Sequence, residues 1–424
     1  MEIKLSNGRF RAKLRGVRLV GEYGPRKIER CGLSDGDLRE AIRNPIGCPP
    51  IRQRAKGCKK VVVVTDDITR PTPVRKILPV IFDELQEAEV SPAEVTILVG
   101  LGSHRLMNME EMEVKFGKDI CGNFRIVNHR WNDPEQLVSL GECGLGFEVT
   151  VNRLAAESDF MISVGNIVPH ATTGFSGGAK TVMTGIAGKS TIENTHWLAL
   201  DYPMRNILGN YENRVRKITD KLARVVGLDM IVNTVLFGGD KVYGIFAGDF
   251  ERVHREAAKL CVEAYGVEIG SKSDIVVAEA WPADSNLRQA IKGICSADLV
   301  CRDNGVIVLC AECPEGVAAQ FPDFIKYGFN DPDGLYRKVQ SGEFEQKLLA
   351  YTLVAIGRII SKRASGVLVC PNIDSATSEQ LGFIPANSLE EGLDKACKIV
   401  GSHPELSVLY QAAVILPILS ENTA

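Results

Sequence analysis

The stretch VVVVTDDITRPTP, residues 61–73, decides the fold class that we predict for this chain. Its first five residues are apolar or β-branched without interruption, which is typical of a strand covered on both faces of a parallel sheet. Polar residues begin where the strand ends, and a helical pattern starts at about Pro73. The stretch therefore predicts a strand, a polar loop and a helix, which is the order found in α/β proteins.

The same alternation recurs along the chain. Further strands are predicted at residues 95–99, 125–128, 159–164, 229–236, 274–279, 305–310 and 366–370. Strands that alternate with helical patterns form mostly parallel sheets with right-handed crossovers. A polar, Gly- and Ser-containing break at 267–273 indicates a domain boundary. We therefore predict two α/β domains, residues 1–268 and 273–405, and a C-terminal segment, 406–424, that packs back on the N-terminal domain.

The composition is that of a globular enzyme. Hydrophobic residues make up 45% of the 424 residues, and the net charge of −3 gives no electrostatic support to nucleic-acid binding. No apolar run reaches the length of a membrane span, and the first residues lack a signal core. Twelve scattered cysteines are typical of reduced thiols, and Cys310 and Cys313 lack the second pair that a four-cysteine zinc site requires. We therefore predict a cytoplasmic protein.

Polar clusters follow several of the predicted strands. In open parallel sheets, ligands bind at the carboxyl ends of the strands. Four clusters stand at such ends, at residues 66–73, 100–105, 166–170 and 279–286. Because they follow separate strands and all carry functional side chains, they predict a single binding region.

A glycine-rich turn, Gly174–Gly178, leads directly into Ala179 and Lys180. Backbone N–H groups in such a turn attract anions, phosphate above all. We expect Ser176, Gly177 and Gly178 to hold a phosphate group, with Lys180 adding a positive charge or a nucleophilic amine.

Each of these side chains also has a purely structural interpretation. Asp67 could cap the helix near Pro73, and His104 and His170 could be loop histidines. Gln289 and Lys292, spaced i, i+3, could be a solvated helix face. Residues 185–191 and 100–102 lack glycines that phosphate-loop and dinucleotide-binding motifs require, so we do not expect simple ATP- or NAD-binding motifs.

Taken together, five blocks of the sequence resemble a known family. They are DDITRPTP (66–73), GLGSHR (100–105), PHATTGFSGGAK (169–180), NTH (194–196) and NLRQAIKG (286–293). In this combination and order they resemble the nickel-pincer-nucleotide-dependent lactate racemases and their 2-hydroxyacid racemase and epimerase relatives. The resemblance implies two α/β domains with the active site in the cleft between them.

The resemblance also implies a cofactor, nickel-bound pyridinium-3,5-bisthiocarboxylic acid mononucleotide. Lys180 would bind this nickel-pincer nucleotide covalently, and His196 would be the nickel ligand that the protein supplies. Asp67 and Thr69 correspond to the family's cofactor-binding block. The enzymes that build this cofactor would be partners of the protein.

For the reaction, the resemblance implies that His104 and His170 are the acid/base pair on opposite faces of the substrate carbon. Hydride transfer to the cofactor would give a 2-keto acid, and its return to the other face would invert the carbon. Arg70, Gln289 and Lys292 correspond to substrate-binding positions.

Two positions depart from the family pattern. Phe344 aligns where the family tends to have a tryptophan in a helix of the second domain, and the other position is Arg288. Arg288 stands where a tyrosine commonly precedes the glutamine of the QxxK block, so we hypothesise a substrate with a second anionic or hydroxylated group, such as malate or a sugar acid. Two other functions are compatible with parts of the pattern. One is a non-catalytic binder or carrier of the nucleotide, and the other is an unrelated phosphate-binding α/β oxidoreductase or transferase.

Overall fold

The computed structural model describes residues 2–6, 8–26, 32–237, 241–318 and 321–420. Its strands are β1 (Glu2–Lys4), β2 (Arg11–Lys13), β3 (Arg18–Tyr23), β4 (Val61–Thr65), β5 (Val95–Val99), β6 (Arg125–Asn128), β7 (Leu137–Ser139), β8 (Thr150–Asn152), β9 (Phe160–Asn166), β10 (Pro169–His170), β11 (Gly174–Phe175), β12 (Met230–Phe237), β13 (Lys241–Gly248), β14 (Gly266–Ile269), β15 (Ser273–Glu279), β16 (Cys301–Cys310), β17 (Ser365–Val369), β18 (Ile384–Ala386), β19 (Glu405–Leu409) and β20 (Leu416–Leu419).

The α-helices are α1 (Asp35–Arg43), α2 (Ile51–Arg54), α3 (Val74–Glu87), α4 (Met109–Phe116), α5 (Lys118–Asn123), α6 (Arg153–Ala156), α7 (Lys180–Met183), α8 (Lys189–Trp197), α9 (Arg214–Val226), α10 (Phe250–Tyr265), α11 (Leu287–Ala290), α12 (Lys292–Val300), α13 (Asp323–Tyr327), α14 (Pro332–Gln340), α15 (Lys347–Gly357), α16 (Ser375–Leu381) and α17 (Leu389–Val400). A π-helical stretch, Arg358–Arg363, continues α15. Among the described residues, no helix is both long and apolar enough to cross a membrane.

The chain forms two compact units. The first unit comprises Met1–Lys27, Ala199–Leu208 and Tyr265–Ala424, and the second comprises Ile28–Leu198 and Gly209–Ala264. The second unit ends at Ala264, close to the boundary expected at 268–273. The N-terminal segment, however, belongs to the same unit as the C-terminal part of the chain, which the prediction did not include.

Strand pairing explains this difference. β3, from the N-terminal segment, pairs with β19, and β20 pairs with β14, so all four strands lie in the first unit. Neither the first 26 residues nor the C-terminal segment belongs to the unit that contains β4. A strand at the edge of a sheet can be hydrogen-bonded by any extended segment, whatever its distance along the chain, and local patterns do not reveal which one.

The second unit is built on a six-stranded sheet with the order β13-β12-β9-β4-β5-β6. All pairings are parallel except that of β13 with β12, which is antiparallel. Every residue of β4 is buried. Val61 and Val63 pack in a cluster with α1 and α3, whereas Val62 and Val64 pack in another with α7 and α9. The expected strand with both faces covered is therefore confirmed.

The first unit contains a second six-stranded sheet, β18-β17-β16-β15-β19-β3, in which all pairings are parallel. Its core joins β15, β16 and β17 to residues of α17. The predicted α/β class with mostly parallel sheets is confirmed in both units. β19 is a strand that the sequence patterns do not predict.

Burial of the central strand leads to a stability prediction. Val63 is 0% exposed, so Val63→Ala removes two buried carbon atoms and leaves a cavity that should cost about 2 kcal/mol. Val114→Ala is the matched control, because Val114 is 67% exposed on α4. We expect chemical denaturation to show a lower midpoint for Val63→Ala alone. Equal losses in the two variants would contradict the assignment of β4 to the core.

Candidate active site

Parallel pairing places several polar loops at one edge of the second unit's sheet. β4, β5 and β9 run in the same direction and end at Thr65, Val99 and Asn166. The loops that follow them carry Asp67, His104 and His170. The common edge that the sequence clusters predict is therefore present for these three strands.

Asp67 and His104 form a direct contact between two of these loops. The Nδ1 atom of His104 lies 2.6 Å from a carboxylate oxygen of Asp67. The other carboxylate oxygen of Asp67 accepts hydrogen bonds from the backbone N–H, at 2.8 Å, and the hydroxyl of Thr69. Because a carboxylate only accepts hydrogen bonds, the His104 ring carries a proton on Nδ1, and its lone pair is on Nε2.

The charge of Asp67 is stabilised by these donors. Burial raises the pKa of Asp67, but the hydrogen bonds from His104 and Thr69 outweigh burial and lower it from 3.8 to about 2. The interpretation of Asp67 as a helix cap is wrong, since Pro73 precedes α3 and no side chain caps that helix. Asp67 instead orients the ring of His104 and fixes its tautomer.

A buried ion pair holds the same loop from the other side. The ammonium of Lys115, on α4, lies 2.8 Å from Asp66 and donates to the backbone carbonyl of Arg70 at 2.7 Å. The hydroxyl of Thr72 also donates to Asp66. Burial raises the pKa of Asp66, and the charge of Lys115 opposes this. Nothing in the spacing of the sequence indicates that Lys115 supports this loop.

Arg70 lies on this same loop, which the contacts of Lys115 and Thr72 hold in place. Its backbone N–H donates to the carbonyl of Asp67 at 3.1 Å. Within the described residues, its guanidinium has neither an ion pair nor a hydrogen bond to protein. A guanidinium on a rigid loop suits the recognition of a carboxylate or phosphate.

The loop that carries His104 packs on the residues that follow α7. The N–H of Gly102 donates to the carbonyl of Gly185 at 2.8 Å. Gly102 has a φ of +56°, and a Cβ there would lie 2.7 Å from the carbonyl oxygen of Thr184. A glycine is therefore required for the close approach between this loop and the helix that begins at Lys180.

Lys180 is the first residue of α7. Its ammonium lies 3.2 Å from the hydroxyl of Thr184, one turn further along the chain. Asp67, His104 and Lys180 thus stand on elements that are in contact with each other in the second unit.

Two backbone N–H groups of the glycine turn before Lys180 already form hydrogen bonds within the protein. The N–H of Gly178 donates to the side chain of Asn233 at 2.7 Å, and the N–H of Ser176 donates to the carbonyl of Val168 at 2.9 Å. The hydroxyl of Ser176 donates to the carbonyl of Asn166 at 2.8 Å. The expected phosphate cradle would therefore have to use groups other than these N–H donors in this arrangement.

Two buried basic side chains support the turn from behind. Arg216, which is 0% exposed, donates to the carbonyls of Phe175 and Gly177. Burial lowers the pKa of Arg216 to about 10, against the opposing charge of Asp220. Burial also lowers the pKa of His254 well below its usual range, so its neutral ring donates from Nε2 to the carbonyl of Ser176 at 3.2 Å. The sequence patterns give no signal that Arg216 or His254 supports this turn.

His170 lies in the hairpin formed by β10 and β11. Its Nδ1 atom accepts the backbone N–H of Thr172 at 3.2 Å. An acceptor nitrogen carries no proton, so the neutral ring holds its proton on Nε2. The rings of His104 and His170 are therefore in opposite tautomers.

His196 lies in the last turn of α8. Its Nδ1 atom is 2.7 Å from the carbonyl of Ile192, one turn earlier. Because a carbonyl can only accept, Nδ1 carries the proton and Nε2 has the lone pair that a metal requires.

Comparison with known proteins identifies the family. The model of the lactate racemase N-terminal domain matches residues 5–207, and the model of the lactate racemase C-terminal domain matches residues 269–416. The chain belongs to the lactate racemase family.

Individual relatives agree with this assignment. The chain is 30% identical to the lactate racemase of Thermoanaerobacterium thermosaccharolyticum, over 94% of this chain and 93% of the relative. It is 34% identical to the lactate racemase of Lactiplantibacillus plantarum over 66% of each. The structure of the Thermoanaerobacterium apoprotein superposes with a TM-score of 0.87 at 28% identity, covering 99% of both chains. A Thermotoga maritima protein, at 21% identity and a TM-score of 0.71, shares the fold, over 93% of this chain and all of its own.

The remaining family-related residues lie in the first unit. Gln289 and Lys292 stand at the junction of α11 and α12, where the ammonium of Lys292 donates to the side-chain oxygen of Gln289. The guanidinium of Arg288 lies over the ring of Phe321, 4.7 Å from its centroid. Cys310 packs in the core of the sheet.

The Asp67–His104 contact predicts a pH-dependent loss of stability. Since the pKa of Asp67 is lowered in the folded protein, its contribution is fully present above about pH 4 and is lost as the pH falls through 2. Asp67→Asn should therefore cost about 2 kcal/mol at pH 7 and progressively less below pH 4. Unfolding measured against pH checks this, with exposed Asp35→Asn as the control. A difference that is independent of pH would contradict it.

Proposed function

We propose that this protein is a racemase or epimerase of 2-hydroxy acids that depends on the nickel-pincer nucleotide. Family membership supports the racemase class. The observation that carries the proposal is the Asp67–His104 contact. It fixes the orientation of the His104 ring and leaves the lone pair on Nε2, so that this nitrogen can act as a general base. His170 and Lys180 follow in the same unit, on one continuous segment from β9 to α7.

The residues present fit the cofactor. Lys180 supplies an amine for covalent attachment, and His196 supplies an imidazole whose Nδ1 proton is held by Ile192, which leaves Nε2 to bind a metal. An imidazole nitrogen is a ligand type that suits nickel. Arg70 supplies a guanidinium for an anionic group. When bound, the cofactor would accept a hydride from the substrate carbon and return it.

The histidines of the protein would move the protons. His104 takes the hydroxyl proton on Nε2 as a 2-keto acid forms, and Asp67 stabilises the resulting imidazolium. His170 would act as the general acid, starting from its imidazolium form. It would donate the Nε2 proton to the keto oxygen and keep the proton on Nδ1.

This step has a structural consequence for His170. Its protonated ring cannot accept the N–H of Thr172, so that hydrogen bond must open during the catalytic cycle. Arg70 and Lys292 would hold the substrate carboxylate, and Gln289 would orient Lys292. The location of the site between two domains and the cytoplasmic location of the protein stay predictions.

Covalent attachment can be tested by intact-mass measurement. Protein produced together with the cofactor-building enzymes should gain an adduct that contains nickel and sulfur. Lys180→Ala should abolish the adduct, because it removes the only atom through which attachment is proposed. Lys118→Ala, whose side chain is 85% exposed in the same unit, should keep it. An adduct that persists in Lys180→Ala would contradict attachment at Lys180, and a wild-type protein that gains no adduct would contradict the cofactor proposal.

Variants of the two histidines test catalysis separately from cofactor binding. His104→Ala and His170→Ala should keep the adduct but lower the rate of racemisation by ~10²–10⁴-fold each, since each ring moves a proton. Chiral chromatography of D- and L-lactate measures the rate, and exposed His403→Ala serves as the control. Full activity without either ring would contradict the mechanism. A loaded wild-type protein that turns over no 2-hydroxy acid would favour the alternative of a nucleotide binder or carrier.

A further inference from the structure

Two cysteine thiols meet at the carboxyl edge of the first unit's sheet. Cys313 follows β16 and Cys370 follows β17, and these two strands pair in parallel. The thiol of Cys370 donates to the carbonyl of Glu312 at 3.4 Å. That carbonyl is bonded to the backbone nitrogen of Cys313, so the sulfur of Cys370 lies one peptide unit from Cys313. A hydrogen bond joins the two thiols directly.

Backbone and side-chain contacts fix both thiols in place. The amide of Asn372 donates to the carbonyl of Glu312 at 2.8 Å, which ties the loop after β17 to the loop after β16. On its other side, the loop after β16 is held by Asp284. The N–H of Glu312 donates to the carboxylate of Asp284 at 3.0 Å, and the N–H of Cys313 donates to the carbonyl of Asp284 at 3.0 Å. The contact between the thiols is therefore part of an ordered arrangement.

The surroundings make the two thiols chemically different. The hydrogen bond from Cys313 lowers the pKa of Cys370, and the backbone N–H groups of Asn372 and Ile373 lower it further, against the effect of burial. The same hydrogen bond, together with burial, raises the pKa of Cys313. Because the thiolate is the reactive form of cysteine, Cys370 is the nucleophile of the pair and Cys313 is its protonated partner.

Other cysteines of this unit have no such environment. Cys310 packs in the core of the sheet, and burial raises its pKa. It is 1% exposed, whereas Cys370 is 8% exposed. Burial likewise raises the pKa of Cys295 and of Cys301 to about 12. The spacing of Cys310 and Cys313 in the sequence therefore does not identify the reactive pair, because the partner of Cys313 comes from the next strand.

We propose that Cys313 and Cys370 form a reversible disulfide when the protein meets hydrogen peroxide. The thiolate of Cys370 attacks one peroxide oxygen, which gives a sulfenic acid and, with one proton, water. The sulfur of Cys313 then displaces the sulfenic oxygen as a second water, and the S–S bond forms. Two thiols are thus oxidised and one peroxide is reduced. A dithiol reductant reverses the change by exchange and becomes a disulfide itself. This inference is independent of the proposed function.

The disulfide would act on a loop that also supports α11. The N–H of Leu287 donates to the carbonyl of Gly316 at 3.0 Å. The N–H of Arg288 donates to the carbonyl of Val317 at 3.1 Å. A bond from Cys313 to the loop after β17 restrains the loop that carries both carbonyls, so the start of α11 should open less often in the oxidised protein.

Peptide mass spectrometry of the folded, full-length protein tests the disulfide. After treatment with stoichiometric hydrogen peroxide, the intact wild type should lose two hydrogen atoms, and the peptides that contain Cys313 and Cys370 should be linked. Dithiothreitol should reverse both changes. Cys370→Ser should abolish the linkage, and Cys313→Ser should leave a sulfenic acid on Cys370 that dimedone traps. Cys397→Ser, on α17, is the matched control and should link as the wild type does.

The wild-type measurement needs no substitution, so it decides the proposal even where a variant fails to fold. Wild-type protein in which these two peptides stay unlinked, or in which Cys313 links to another cysteine, would overturn the proposal. Amide hydrogen exchange tests the effect on α11. Exchange at Leu287 and Arg288 should slow on oxidation of the wild type and stay unchanged in peroxide-treated Cys370→Ser. Equal exchange in the oxidised and reduced wild type would contradict the restraint of α11.

Discussion

The parallel pairing of β4 with β5 and β9 is the constraint on which the rest of the site depends. Parallel strands end at the same edge of a sheet, so three loops from distant parts of the chain must meet there. The burial of β4 on both faces fixes this arrangement, because a shifted strand would expose valines that now fill two cores. The contact between Asp67 and His104 follows from this geometry.

Buried charge is handled in two different ways in this molecule. Around β4, each carboxylate has a partner: Lys115 neutralises Asp66, and His104 and Thr69 bind Asp67. These contacts make the loop rigid and set the tautomer of one imidazole. In the first unit, the guanidinium of the half-buried Arg288 lies over the ring of Phe321 and forms no ion pair among the residues that the structure describes.

The glycine turn shows how a sequence motif can have a structural purpose beside a chemical one. Its tight backbone lets Asn233, Arg216 and His254 bond to the turn from behind, and a Cβ at Gly178 would lie 2.8 Å from the ring of His254. The turn therefore holds the hairpin that contains His170 and the start of α7 in fixed positions. Glycine-rich sequence alone does not distinguish such a mount from a phosphate-binding loop, since both need left-handed backbone and close approach.

The sequence by itself determined the fold class and the chemical types of the site residues, because strand burial and helix periodicity are local properties that hydrophobic spacing records. It also indicated that polar clusters follow β4, β5 and β9. Only the tertiary structure decided that Asp67 bonds to His104 rather than capping α3, that Lys115 and Arg216 support the loops, and that β3 and β19 share a sheet. These are contacts between residues far apart in the chain, and their formation depends on how whole elements pack, which no local spacing encodes.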